Sequence, residues 1–227
     1  MNIKDRILFE DNHLLVINKK AGELVQGDKT GDPTLADHLK AYIKIRKNKP
    51  GAVYLGIVHR IDRPTSGVVV FTKTSKALSR LNEQFKKRSP QKIYWAIVSK
   101  TFSENEGNLT NWMTRNEKQN KSKAHKKEVP NSKVATLRFK RALELDNYCL
   151  LEITLETGRH HQIRAQLSTI EFPIQGDLKY GAARSNKDGS ISLHARQLRI
   201  EHPVTKEILT FKANPQKTGI WKAVPCD

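Results

Sequence analysis

The stretch YCLLEITLETGRHHQIRAQL, residues Tyr148–Leu167, carries a strand and a helix back to back. Its first half alternates, with Leu151, Ile153 and Leu155 set against Glu152, Thr154 and Glu156, a period of two that predicts a half-solvated antiparallel strand over Tyr148–Leu155. Thr157-Gly158 ends it. From about His161 the period changes, and Ile163, Leu167 and Ile170 recur at helical spacing to about Ile170. Outward from this pair, HLLVINK (His13–Lys19), Val68–Phe71, KIYWAIV (Lys92–Val98) and Ala135–Phe139 read as strands, and short strands are expected near Leu193, Leu198–Ile200 and Ile208–Phe211. One further helix follows Asp32-Pro33-Thr34, with Leu35, Leu39, Tyr42 and Ile43 on one face until Asn48, Lys49, Pro50 and Gly51 stop it. Another is capped at Ser75, presents Leu78, Leu81 and Phe85, and ends on Lys86, Lys87 and Arg88. Strands outnumber helices and are grouped, which predicts an α+β fold with a mixed, mostly antiparallel central sheet and flanking helices.

A chain of 227 residues can bury a substantial core, and a single domain over residues 1–227 is expected. Lys and Arg number 41 against 23 Asp and Glu, a net charge of +18 that points to a polyanionic partner, RNA or DNA. The two cysteines, Cys149 and Cys226, have no metal-ligand or disulfide-framework spacing, so a reduced, cytoplasmic protein is expected. No apolar run approaches the roughly 20 residues of a membrane helix, and the N-terminus has no signal-peptide core. With no coiled-coil pattern or apolar surface stripe, the expectation is a monomer without an obligate protein partner. Residues 115–133 are almost devoid of apolar side chains and hold Arg115, Lys118, Lys121, Lys123, Lys126, Lys127 and Lys133, so they read as a basic insertion, either simply solvated or a flexible arm that tracks phosphates.

Two places carry chemistry. In HRIDRPTSG (His59–Gly67), Asp62 lies between Arg60 and Arg63 in a turn-rich loop. Flanking guanidiniums favour an ionised carboxylate able to attack an electrophilic carbon, while the plainer reading is a salt-bridged turn, with Arg60 and Arg63 equally suited to phosphates. In the helix after Gly158, Arg164 sits beside the apolar face, either as a surface residue or as the inward partner of a buried carboxylate. His160 and His161 are adjacent and lack Cys, Asp or Glu at zinc-ligand spacing, so no metal is expected. There is no phosphate-binding glycine loop, no GxSxG elbow and no clustered carboxylate set for a two-metal nuclease. Asp62 and Asp177 are the acids set in distinctive loops.

From about Ile7 to Trp221 these stretches together resemble the RluA-type family of RNA pseudouridine synthases. HRIDRPTSG is similar to the family's HRLDxxTSG motif, which implies Asp62 as catalytic nucleophile. KIYWAIV resembles KxYxAxV, implying Tyr94 against the target base, and GRHHQIR resembles GRxHQIR, implying Arg164 as the partner of that aspartate. PIQGDLKYG (Pro173–Gly181) and LHARQLRIEHPVT (Leu193–Thr205) follow in the family's order. Two departures stand out: Lys20 replaces the proline of the family's NKPAG element, and Glu171 stands where a glycine is usual. The S4-type domain of some relatives is not expected ahead of a strand that begins within the first ten residues.

The resemblance implies isomerisation of uridine to pseudouridine in ribosomal or transfer RNA without a cofactor. Asp62 would attack C1′ or first take a proton from the sugar, Tyr94 would wall the freed ring and help remove the C5 proton, and Arg164 would keep Asp62 ionised. The target uridine would be flipped out, with Arg60 filling the vacated space, and the basic faces at 40–49, 86–92 and 115–133 would hold the RNA backbone. Two other classes fit the composition: an RNA-binding protein in which Asp62 is structural, and a glycosylase that releases free uracil.

Overall fold

The computed structural model describes residues 3–27, 30–48, 50–99 and 101–226; Lys49, part of the expected helix stop and basic face, lies outside them. The first segment contains β1 (Ile7–Glu10), β2 (Leu14–Lys19), α1 (Leu35–Arg46), β3 (Gly56–Ile57), β4 (Ser66–Thr72) and α2 (Ser75–Lys87). Next come β5 (Gln91–Ser99), β6 (Glu106–Asn116), β7 (Lys121–His125), β8 (Lys133–Glu144), β9 (Tyr148–Leu155) and α3 (Gln162–Thr169). The described chain closes with β10 (Leu193–Glu201) and β11 (Ile208–Lys212). The architecture is α+β with mixed, mostly antiparallel pairing, as the grouping of strands predicts.

The chain divides into two units, one of Met1–Pro90 with Ala195–Pro215 and one of Gln91–His194 with Gln216–Asp227. In the first, strands run β1-β2-β4-β10, with β11 paired to β10 and β3 to β4. Leu14, Val16, Val68, Val70, Leu81, Leu198, Ile200 and Phe211 form its core, so residues from both chain segments bury one another. Helix α1 starts in a capping box: Thr34 accepts the Asp37 amide, and Asp37 accepts the Thr34 amide. The cap of α2 is Thr74, one residue before the expected Ser75; its hydroxyl accepts the Ala77 N–H at 3.2 Å.

The second unit is an antiparallel array in the order β5-β9-β8-β6-β7. Strand β9 spans Tyr148–Leu155 as expected, and α3 packs Ile163 and Leu167 on a core with Leu137, Leu151 and Ile153. The sequence reading differs most at residues 115–133. Part of that segment completes β6, and Lys121–His125 forms β7, a ribbon whose inward residues include Asn111, Met113, Ser122 and Ala124. Apart from Met113 these side chains are polar or small, so the ribbon shows almost no hydrophobic alternation even though it packs on Ala165 and Tyr180.

Glu171 explains itself at the end of α3. Its φ is +69°, the Phe172 N–H donates to Leu167 O at 3.0 Å and the Glu171 N–H to Ser168 O at 3.1 Å, a Schellman ending whose C′ position favours glycine. Glu171→Gly is therefore expected to stabilise the protein by about 1 kcal/mol, read as a rise of roughly 2–4 °C in melting temperature.

Candidate active site

The HRIDRPTSG loop belongs to the first unit and is fixed at both ends. His59 Nε2 accepts the Val70 N–H at 3.1 Å and its ring stacks on Phe85 at 5.0 Å, which ties the loop start to β4 and α2. At the other end Gly67 has φ +120°, and a Cβ there would lie 2.3 Å from the Ala195 carbonyl oxygen. Only glycine lets β4 and β10 approach so closely. Between these anchors Asp62 is half-buried, and its carbonyl accepts the Thr65 N–H at 3.0 Å, closing a turn.

The neighbouring arginines hold this turn to the preceding loop. Arg63 Nε donates to Gly22 O at 3.1 Å, its Nη2 pairs with Asp32 at 2.9 Å, and the Gly22 N–H returns to Arg63 O at 2.8 Å. Arg60 is exposed and reaches Gln26 Oε1 at 3.4 Å. Beneath them lies Lys19, fully buried, whose Nζ donates to the carbonyls of Lys20, Arg63 and Thr65 at 2.9, 3.1 and 2.8 Å. Lys20 also gains a reason for its departure from proline: its N–H donates to Glu23 Oε2 at 2.9 Å, a bond proline cannot make. The same carboxylate pairs with buried Arg6.

In the second unit Tyr94 lies on β5 opposite Ile153, half-buried against the core. Arg164 is not a surface residue. At 6% exposure it projects inward from α3, and its Nε and Nη2 donate to Asp177 Oδ2 and Oδ1 at 2.6 and 2.8 Å, with Asp177 itself only 1% exposed. The guanidinium also lies over the Tyr180 ring at 4.9 Å. Sequence reasoning singled out the loop of Asp177 but gave the residue no role, and it overlooked Tyr180 and Lys19 altogether.

The two histidines before α3 stack with ring centroids 3.7 Å apart. The reason is a left-handed backbone at His161, φ +51°, which places the pair in a turn rather than on the helix. Both rings are engaged: His160 with Ser122 and Asn120, and His161 Nδ1 with the Tyr180 hydroxyl at 2.9 Å, which in turn accepts the Ser122 N–H. Burial, and then Arg164, His160, Lys179 and Arg115 nearby, push the His161 pKa down to about 2, so its ring is neutral. An unfolded histidine titrates near 6.5, so the unfolded chain binds the extra proton across that interval and stability falls as pH drops below about 6.5, by up to ~1.4 kcal/mol per pH unit. Denaturant melts between pH 6.5 and 4.5 check this, and His161→Asn is expected to flatten the slope.

Residues 13–169 match the family described as RNA pseudouridylate synthase, more than half of the chain. The chain belongs to that family. Among pseudouridine synthase relatives, it is 34% identical over 92% of its length to an uncharacterised RNA pseudouridine synthase of Synechocystis sp., covering 65% of that protein. It is 32% identical over 93% of its length to ribosomal large subunit pseudouridine synthase C of Vibrio vulnificus, covering 66%. The chain thus spans about two thirds of these curated relatives. Human RNA pseudouridylate synthase domain containing 4 superposes with a TM-score of 0.77 at 25% identity, covering 95% of this chain and 90% of that one. The family match includes Asp62, Tyr94 and Arg164.

Proposed function

We propose that the chain is an RNA pseudouridine synthase that isomerises uridines in ribosomal or transfer RNA, with Asp62 as its nucleophile. The observation that carries this is the family match over HRIDRPTSG, a loop whose turn, glycine and anchoring histidine hold one half-buried carboxylate in place. Relatives named as ribosomal large subunit synthases favour ribosomal RNA, and the net charge of +18 suits any polyanion of that kind. Among the described residues no helix is long and apolar enough to cross a membrane. The reading includes a cytoplasmic monomer that needs no obligate protein partner.

The proposed reaction breaks the bond from C1′ to N1, rotates the uracil and joins C1′ to C5; C5 loses a proton and N1 gains one, so no redox cofactor or metal is called for. Asp62 acts at C1′ or on a sugar proton, Arg60 occupies the space of the flipped base, and Tyr94 walls the freed ring. Arg164, bidentate on Asp177, has the role of keeping Asp62 ionised.

Tritium release from C5-tritiated uridine in cellular RNA tests this. Release with unchanged RNA mass and no free uracil is the expected outcome. Free uracil would make the protein a glycosylase, and RNA binding without release would make it a binding protein.

A further inference from the structure

We infer that the open face of the β7-β6-β8 sheet is a platform for single-stranded RNA, on which the Trp112 indole stacks an unpaired base while the lysines around it hold phosphates. This rests on the reading of the chain as an enzyme acting on RNA and extends it to nucleotides away from the target uridine. Along β6, Asn111 and Met113 are buried, and Met113 shares a cluster with Ala124, Ala135, Ala165 and Tyr180 on the α3 side. Side chains alternate along a strand, so Trp112 points to the opposite face. Directly across from it stand His125 of β7 and Val134 of β8. That face is open to solvent: Val134 is 44% exposed, and Thr110, Lys123 and Arg138 are exposed as well.

Trp112 is half-buried, yet among the described residues its ring pairs with no other ring and its indole N–H donates to no group. Its neighbourhood is strongly cationic. From 121 to 138 the chain carries Lys121, Lys123, Lys126, Lys127, Lys133 and Arg138 against one acid, Glu128. Arg138 is paired with Glu156, but Lys123, Lys126, Lys127 and Lys133 are exposed, and their ammonium groups make no hydrogen bond or ion pair among the described residues. An aromatic face open to solvent amid uncommitted cations is the combination that holds single strands: the ring takes a base, the cations take phosphates, and base identity matters little. A duplex hides its base faces, so the occupant is unpaired. The surface also continues beyond the ring. Strand β7 is the sheet edge, and a cavity of about 630 Å³ beside it is lined by Thr114, Lys121, Lys123, Ser168 and Thr169. Thr114 and Lys123 face each other across the ribbon on the Trp112 side, so a backbone leaving the stacked base meets a polar, cationic groove at once.

Binding of a labelled oligoadenylate of about eight nucleotides tests this, because it has no uridine to enter the candidate active site. Fluorescence anisotropy gives Kd for the wild type, Trp112→Phe, Trp112→Leu and Trp112→Ala, with thermal melts alongside. Kd is expected to rise about tenfold in Trp112→Ala and Trp112→Leu and less than about threefold in Trp112→Phe, while a duplex of the same length is indifferent to residue 112. Lys123→Gln is expected to lower the slope of log Kd against log salt by about 0.7. Oligoadenylate should quench indole emission in the wild type but not in Trp112→Phe, which keeps Trp95 and Trp221. If Trp112→Ala does not melt cooperatively, the leucine variant and the quenching decide. An unchanged Kd in folded Trp112→Leu overturns the inference and leaves Trp112 a purely cross-strand role in the sheet. Quenching that survives in Trp112→Phe, or an equal loss of duplex binding, overturns it as well. Tritium release by the wild type judges the underlying reading separately: release alongside unchanged Trp112→Leu binding removes the platform alone, and Trp112-dependent binding without release upholds the platform and removes the enzyme.

Discussion

Asp62→Asn abolishes tritium release, by about 10⁴-fold or more, and leaves the fold standing. The substitution is nearly isosteric and removes only the charge. The turn survives because its hydrogen bond runs from the Thr65 N–H to the backbone carbonyl of residue 62, not to the carboxylate. The loop's other anchors, His59 on Val70 and Gly67 against Ala195, involve neither carboxylate oxygen. A half-buried side chain changed without loss of volume costs about 1 kcal/mol or less, so the melting temperature is expected within about 4 °C of the wild type. RNA binding should persist. Residual release above about 1% of the wild-type rate would mean that another group performs the attack.

Asp177→Ala is the largest expected blow to stability. It takes away the carboxylate that held the Nε and Nη2 donors of Arg164, 6% exposed, at 2.6 and 2.8 Å. Breaking a buried pair from one side costs about 3–5 kcal/mol, which for a chain of this size lowers the melting temperature by roughly 6–20 °C. The Tyr180 ring 4.9 Å away offers only partial compensation. The double substitution Arg164→Met with Asp177→Leu supplies the contrast: it removes both charges, keeps volume and is expected to recover most of the lost stability. If Asp177→Ala melts within about 2 °C of the wild type, the pair carries no such burden.

Much of this was legible in the residues. The alternation after Tyr148, the apolar stripe of α3 and the HRIDRPTSG loop each follow a local rule, and each appears where that rule puts it. What escaped was encoded non-locally. The β6–β7 ribbon buries Asn111, Ser122 and Ala124, so its inner face looks like a solvated one when only the sequence is read. The partner of Arg164 lies 13 residues away in a loop, and that spacing matches no secondary-structure period. Lys19 reads as the polar end of an apolar strand; its burial follows from carbonyls more than forty residues downstream. Lys20 and Glu171 could be noticed as departures, but only backbone geometry says what they do there.

The division of the chain has a consequence for how the protein comes into being. The first unit is complete only when Ala195–Pro215 joins Met1–Pro90, because β10 lies beside β4 and Leu198, Ile200 and Phe211 fill the core that Leu14, Val16 and Val70 begin. A ribosome adding ~5–20 residues per second needs roughly 6–25 s to travel from Pro90 to Pro215. Through that interval the Val68–Phe71 edge of β4 has no β10 to pair with. The second unit's β5–β9 array emerges during the same wait, and the loop that carries Asp62 gains its Gly67–Ala195 approach only after Ala195 has been made.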